Sequence, residues 1–423
     1  MKMRLSLAAL LAAALLAGCT PAPPAVPEGS PSPTPERPVL SPSPAVPSDT
    51  PEPDPVEAAL ASMTVEEKVG QLLIVGLEGT APGEDAAAYI QDYQVGGLIL
   101  FGRNVDSAGQ LLELTNGLKA LNQGNIPLFL GVDQEGGRVD RMPPEVQRTP
   151  SAYQVGSGWD GSQAARDRTA AYGAALSAAC ASFGFNLDFA PVADVWSDPD
   201  NTVIGDRAFG SDPESVGEQA AAAAQAMLDG GTIPVAKHFP GHGSTATDSH
   251  LSLPVVEKTL EDWTAGDFLP FQRYLDGVAA GEVPAPMMVG HILLTALDGD
   301  YPASLSQKIV TGFLREGQGY DGVLFTDDLT MGAIAEHYGL GEAAVLAVEA
   351  GCDVVLVCHG RENADTARTA LLEAVESGRI SQRRLDESVR RILTLKTAAG
   401  LSDKAVEAPD LDALNAQIGA VLD

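Results

Sequence analysis

Residues Ile233-Pro-Val-Ala-Lys-His-Phe-Pro-Gly-His-Gly-Ser-Thr-Ala-Thr-Asp-Ser-His250 set a short apolar run directly against a cluster of ionisable groups. Ile233 to Ala236 is apolar and partly β-branched, so it reads as a buried strand. Pro240, Gly241 and Gly243 forbid a regular helix beyond it. Lys237, His238, His242, Asp248 and His250 are therefore expected on irregular backbone. Three of the six histidines in the chain lie between 238 and 250. A loop that leaves a buried strand with this much capacity to move protons is more often a site than a connector.

The same arrangement recurs on either side of this stretch. Leu128 to Val132 runs into Asp133-Gln-Glu135, Met287 to Gly290 into His291, and Val323 to Thr326 into Asp327-Asp328. Gly97 to Phe101, Leu187 to Phe189 and Val354 to Val357 are further strand-like runs, and Leu72 to Val75 reads either as a strand or as the end of a helix from Val56. Thr64, with Glu67 three residues on, is a capping signal within that first helix. Helical spacing covers Ala164 to Ser182, Glu214 to Asp229, Trp263 to Ala280, Ser306 to Glu316, Gly341 to Ala350 and Arg383 to Leu395. Nearly continuous apolar strands alternating with helices imply an α/β protein whose parallel sheet is covered on both faces. The number of repeats suits a (β/α)8, TIM-like barrel. Ligands of such barrels bind at the C-terminal strand ends, so the polar strand ends would converge on one pocket. Taken singly, Asp133 or Asp328 could cap a helix and His291 could be a satisfied core histidine. Their joint position on one rim favours a site.

A formal net charge of -31 over 423 residues argues against a nucleic-acid partner and against adhesion to anionic lipid. The N-terminus differs from the rest. Lys2 and Arg4 precede an apolar run, Leu5 to Leu16, that is too short to span a bilayer and reads as a secretory signal. It ends in Leu16-Ala-Gly-Cys19, similar to the lipobox of bacterial lipoproteins, in which the cysteine is lipidated. Residues 1–19 are thus expected to be a signal peptide, with an extracytoplasmic protein anchored to the membrane only through Cys19. Residues 20–55, rich in Pro, Ser, Glu and Ala, cannot bury enough surface to order and are expected to be a disordered linker. Residues 56–401 form the expected single catalytic barrel, and 402–423 an acidic tail with a short last helix. Cys180, Cys352 and Cys358 are odd in number, lack metal-ligand spacing and read as buried apolar residues.

Three chemistries compete for the histidine-rich stretch. A zinc hydrolase would use an i, i+4 histidine pair on a helix, which Pro240 and Gly241 remove, so no metal is expected. A serine hydrolase lacks its nucleophile elbow. No glycine fingerprint for a dinucleotide or phosphate-binding lysine loop is present, and no cofactor is expected. Glycoside hydrolysis needs a carboxylate, a general acid and donors for sugar hydroxyls. Asp327, the Lys237-His238 loop and the arginines can supply these.

Lys237-His-Phe-Pro-Gly-His-Gly243 with Asp248-Ser-His250 resembles the signature of glycoside hydrolase family 3, in its β-N-acetylhexosaminidase branch. Gly131-Val-Asp-Gln-Glu-Gly-Gly-Arg-Val139, Leu187-Asp-Phe-Ala-Pro-Val-Ala-Asp-Val195, Ile204-Gly-Asp-Arg-Ala-Phe-Gly210 and Phe325-Thr-Asp-Asp-Leu-Thr-Met331 follow in the family's order, over roughly Val56 to Leu401. The resemblance implies a retaining exo-acting enzyme with Asp327 as nucleophile and His250, partnered by Asp248, as acid/base. It implies that Asp133, Arg141, Arg207, Lys237 and His238 bind the non-reducing sugar, with His242, Asp194, Glu135 and Asp328 in support. His337 and His359 carry no separate argument. Gly243, Ser244 and Thr245 are expected to let the acid-bearing loop swing. The implied substrate is a GlcNAc-terminated oligosaccharide or muropeptide. Two other readings stay open: phosphorolysis, with phosphate as glycosyl acceptor, and a lipid-anchored sugar-binding protein.

Overall fold

The computed structural model describes residues 54–122, 124–245, 253–280 and 283–422. The signal, Cys19, the linker up to residue 53, and both Asp248 and His250 lie outside the described residues. Eight strand positions carry the fold: β1 (Leu73–Gly76), β2 (Gly97–Leu100), β3 (Phe129–Val132), β4 (Leu187–Asp188), β5 (Ile233–Pro234, resuming as Ala236–Phe239), β6 (Met287–Val289), β7 (Leu324–Asp328) and β8 (Val354–Val357). All pair in parallel, in the order β4, β3, β2, β1, β8, β7, β6, and the two halves of β5 flank that row. Its first half bonds β4 and its second half bonds β6. One stretch of chain therefore closes the ring, and the architecture is a (β/α)8 barrel.

The opening stretch is corrected in one respect. Lys237 and His238 lie inside β5, not in the loop after it, and Asp327 and Asp328 likewise complete β7. Their backbones remain in the ladder: Lys237 N–H donates to Pro191 O at 3.1 Å, and Lys237 O accepts from Ala193 N–H at 2.7 Å. Side-chain polarity does not end a strand when neighbouring strands supply both backbone bonds and partners for the side chains.

Capping and breaking residues explain the other shifts. The first helix is two, Pro55–Ser62 and Val65–Gln71. They divide where the Thr64 hydroxyl accepts from Glu67 N–H and the Glu67 carboxylate accepts from Thr64 N–H, a reciprocal cap that starts a new helix. Leu73–Gly76 is then a strand, fully between β2 and β8. The expected helix from Trp263 to Ala280 breaks at Gly266 into Leu260–Ala265 and Leu269–Gly277, the second with Pro270 in its first turn. Ala108–Leu121 and Arg361–Glu376 are two additional helices, each with one buried face. The segment beyond Leu401 packs on the barrel: the Asp403 carboxylate accepts from Asn122 Nδ2 at 2.7 Å, and Leu414, Ile418 and Val421 are buried.

The barrel interior is filled, not open. Phe325 of β7 meets Phe129 of β3 and Phe189 after β4, with ring centroids 6.0 and 5.7 Å away. Gly131 makes room, because a Cβ there would come within 3.1 Å of the Phe189 ring. Burying each such aromatic contributes roughly 1.5–3 kcal/mol before conformational entropy is set against it. This layer is the floor of the site: Asp133 lies two residues beyond Gly131, and Asp327 two beyond Phe325, so strand alternation turns both toward the barrel axis. Cys180, Cys352 and Cys358 are all free and buried. Among the described residues no helix is long and apolar enough to cross a membrane.

Candidate active site

The C-terminal strand ends enclose one pocket, which Asp133, Arg141, Arg207, Lys237, His238 and Asp327 all line. Its deepest part is an alternation of charges. Lys237 Nζ lies 2.5 Å from Asp133 Oδ1 and 2.6 Å from Glu135 Oε1. Arg207 grips the same Glu135 carboxylate with two parallel bonds, Nε to Oε2 at 2.7 Å and Nη2 to Oε1 at 2.8 Å. Burial would push the Glu135 carboxyl up, but Arg207 and Lys237 outweigh it and hold it well below the usual carboxylate range. Burial likewise opposes the Lys237 ammonium, and Asp133 and Glu135 reverse that and raise its pKa.

His238 is fixed by two partners of opposite kind. Its Nδ1 is 2.7 Å from Asp194 Oδ2, and its Nε2 is 3.3 Å from Arg207 Nη2. A guanidinium only donates, so Nε2 must accept and the proton belongs on Nδ1, donated to Asp194. Asp194 Oδ1 also accepts from His242 N–H at 2.7 Å, which ties the Pro240-Gly241-His242 turn to the site. His242 itself is lowered, first by burial and then by His238, and its Nδ1 lies 2.7 Å from Thr245 Oγ1. His291 is satisfied in the core, by Ser304 Oγ at 2.8 Å and by donation to Asp328 O at 3.0 Å.

Asp327 is half-buried near the end of β7, with Oδ1 accepting from Asp328 N–H at 2.8 Å. Burial raises its pKa, yet the imidazoles of His291 and His238, the Asp328 amide and Lys237 together hold it below the ordinary value. The Asp328 amide and Lys237 act in this direction whatever the histidines' protonation. Asp327 is thus an ionised carboxylate with one oxygen anchored, the form in which a carboxylate is nucleophilic. Asp328 accepts from Thr330 N–H and Cys358 N–H, both at 3.0 Å.

Gly243, Ser244 and Thr245 do not form a loose hinge. A Cβ on Gly243 would lie 1.7 Å from Val195 O, the Ser244 hydroxyl donates to Asp267 at 3.2 Å, and Thr245 is buried. The glycine serves close backbone approach, so the chain is firmly rooted up to Thr245. Among the pocket residues to which the sequence analysis gave no site role are Phe101 and His359, whose rings stack 5.6 Å apart. Phe101 is apolar and ends a strand-like run, and His359 follows the run Val354 to Val357 as a single ionisable residue behind Cys358. Among the described residues no group of three or more His, Cys, Asp or Glu is placed to hold a metal ion.

Comparison with known proteins extends this geometry. Residues 64–395 match the model of the glycosyl hydrolase family 3 N terminal domain. The chain is 38% identical over 349 residues to the β-hexosaminidase LpqI of Mycobacterium tuberculosis, covering 79% of this chain and 84% of LpqI. It is 34% identical over 350 residues to a β-hexosaminidase of Thiobacillus denitrificans, covering 79% of this chain and 95% of that protein. The structure superposes on a family 3 β-N-acetylglucosaminidase from Paenibacillus sp. str. FPU-7 with a TM-score of 0.76 at 35% identity, over 85% of this chain and 68% of that one. With relatives of this identity matched along most of their length, and a family model spanning the whole barrel, the chain belongs to glycoside hydrolase family 3.

Proposed function

We propose that the protein is a retaining exo-β-N-acetylhexosaminidase that removes terminal GlcNAc from cell-wall or chitin-type oligosaccharides. The observation that carries the reading is Asp327, an ionised carboxylate lining the same pocket as a charged clamp of Lys237, Arg207, Asp133 and Glu135. Relatives named as β-hexosaminidases support the choice of sugar. In this mechanism the clamp orients the terminal sugar through its hydroxyls, with charged partners rejecting sugars that lack them. The unanchored oxygen of Asp327 attacks C1 as the C1–O bond to the leaving group breaks, and His250 gives its proton to the departing oxygen. His250, held by Asp248, then takes a proton from water, which attacks C1 and releases Asp327 with overall retention. Arg207 also holds His238 in its Nδ1–H form, so the pocket presents a fixed pattern of donors and acceptors.

The proposed place of action is outside the cytoplasmic membrane, with the protein held there by lipid on Cys19 and spaced from it by residues 20–55. A chromogenic β-GlcNAc substrate tests the activity, and product analysis with added inorganic phosphate tests the acceptor. Free GlcNAc of retained anomeric configuration is expected. Sugar 1-phosphate would reassign the reaction as phosphorolysis, and absence of turnover would leave sugar binding alone as the function. Cys19→Ala is expected to move the protein from the membrane to the soluble fraction.

A further inference from the structure

We propose that His359, braced on Phe101 at the pocket mouth, is a specificity-determining residue that holds the leaving-group sugar. The proposal rests on the glycosidase reading above and adds to it the part of the substrate beyond the scissile bond. The lining is graded from floor to mouth. Side chains of the charged clamp are nearly inaccessible, 2% for Lys237 and 3% for Glu135, with Asp133 at 20%, whereas His359 is 54% exposed. An exo-acting pocket encloses the terminal sugar in its buried part, so whatever is attached to C1 must pass the exposed wall.

That wall is built with care. The imidazole of His359 lies 5.6 Å from the Phe101 ring with the two planes inclined by only 26°. The Arg103 guanidinium in turn stands 4.6 Å from the Phe101 centroid. Arg103 is pinned by donation to Leu77 O at 3.0 Å and to Cys358 O at 2.7 Å. The backbone permits this packing because Gly76 has no Cβ: one added there would sit 2.0 Å from Cys358 O and 3.0 Å from the Arg103 side chain. At its edge, His359 Nε2 lies 3.8 Å from Asp328 Oδ2, and Asp328 directly follows Asp327 in β7. Two layers, the Phe101 ring and the Arg103 guanidinium, thus support a flat ring that is itself 54% exposed.

A histidine ring presents a flat apolar face. A pyranose offers the complement in the C–H groups of its own ring face. Because the ring is already held in place, seating a sugar against it orders little that was free, which is where binding specificity is gained most cheaply. The ligand class is therefore the second pyranose of a β-linked oligosaccharide. Nothing in the reaction steps passes through His359.

The experiment compares kcat/KM for the β-linked disaccharide of GlcNAc with that for β-GlcNAc fluoride, whose leaving group places no ring at the mouth. In His359→Ala the disaccharide-to-fluoride ratio is expected to fall about tenfold, mainly through KM for the disaccharide. In His359→Phe, which keeps a flat face but carries no proton, the ratio should return to within about threefold of wild type. Equal losses on the two substrates in His359→Ala would show a merely structural ring and overturn the proposal. A His359→Phe variant as impaired as His359→Ala would overturn it too, since the ring nitrogens and not the face would then be needed. Failure of the wild-type protein to cleave either substrate would instead remove the activity reading on which the proposal stands.

Discussion

Lys237 Nζ lies 2.6 Å from Glu135 Oε1, although both side chains are almost wholly buried. The same carboxylate takes both bonds of the Arg207 fork, so one acid is shared by two cations from different parts of the chain.

Replacing Glu135 by Gln should leave Lys237 with Asp133 and Arg207 with the more distant Asp194 and Asp133 to balance them. Removing one member of a buried ion pair costs about 3–5 kcal/mol, because the remaining charge stays desolvated. Urea denaturation of Glu135→Gln is expected to show a loss of that size; a loss under about 1 kcal/mol would mean the cations find other compensation. The pH dependence has a definite sign. The folded pKa of Glu135 lies below its usual value of 4.5, so its stabilisation is complete above that value and disappears as pH falls through the folded one. The difference between wild type and variant should be flat across neutral pH and shrink in acid.

Asp327→Asn should reduce kcat/KM by at least about a thousandfold while leaving the protein folded, since it removes the nucleophile and keeps the shape. Far-ultraviolet circular dichroism and thermal melting monitor the fold. Near-normal turnover would assign the nucleophile elsewhere.

His250→Ala should discriminate by leaving group. Alkyl and sugar glycosides need a proton on departure, whereas a dinitrophenyl glycoside does not. The former are expected to lose on the order of a hundredfold and the latter far less in the glycosylation step. Parallel losses across a series of aryl leaving groups would contradict the acid role.

Lys396 supplies a test remote from the chemistry. Its amine is buried beneath the barrel, 2.9 Å from Gln71 Oε1 and 2.8 Å from Gly96 O, and 4.6 Å from the Phe129 ring centroid. Burial lowers its pKa to about 7 against an ordinary 10.5. Between those two values the unfolded chain binds a proton that the folded one does not, so stability attributable to this residue should rise with pH. Denaturation of wild type and Lys396→Met at pH 7 and pH 10 checks this. The variant should lack that increment, and equal pH dependence in both proteins would mean that Lys396 is not desolvated as its surroundings imply.

How much was readable beforehand can be judged residue by residue. The strand at Leu128 to Val132 was legible because four apolar residues preceded Asp133, and the observed strand Phe129–Val132 ends just before that acid. The strand containing Lys237 was legible only to Ala236, because a rule that stops strands at charged residues cannot see Asp133 and Glu135 arriving from β3. Arg207 was legible as a sugar-binding residue only through the family blocks; its bidentate bond to Glu135 spans two blocks that are distant in the chain. Phe101 and His359 belonged to no motif, and their stacking follows from β2 and β8 lying on either side of β1.

The amino-acid sequence by itself determined the alternation of strands and helices, the family blocks and the identity of the acids, bases and cations. Those features depend on hydrophobic period and on side-chain chemistry, both of which are local. Tertiary structure alone decided that β5 closes the ring with its two halves, that Gly243 is a contact and not a hinge, and that Glu135 is shared by Lys237 and Arg207. Each depends on the register and separation of segments remote in the chain, and the charge state and tautomer of a buried group are set by those neighbours, not by its own residue type.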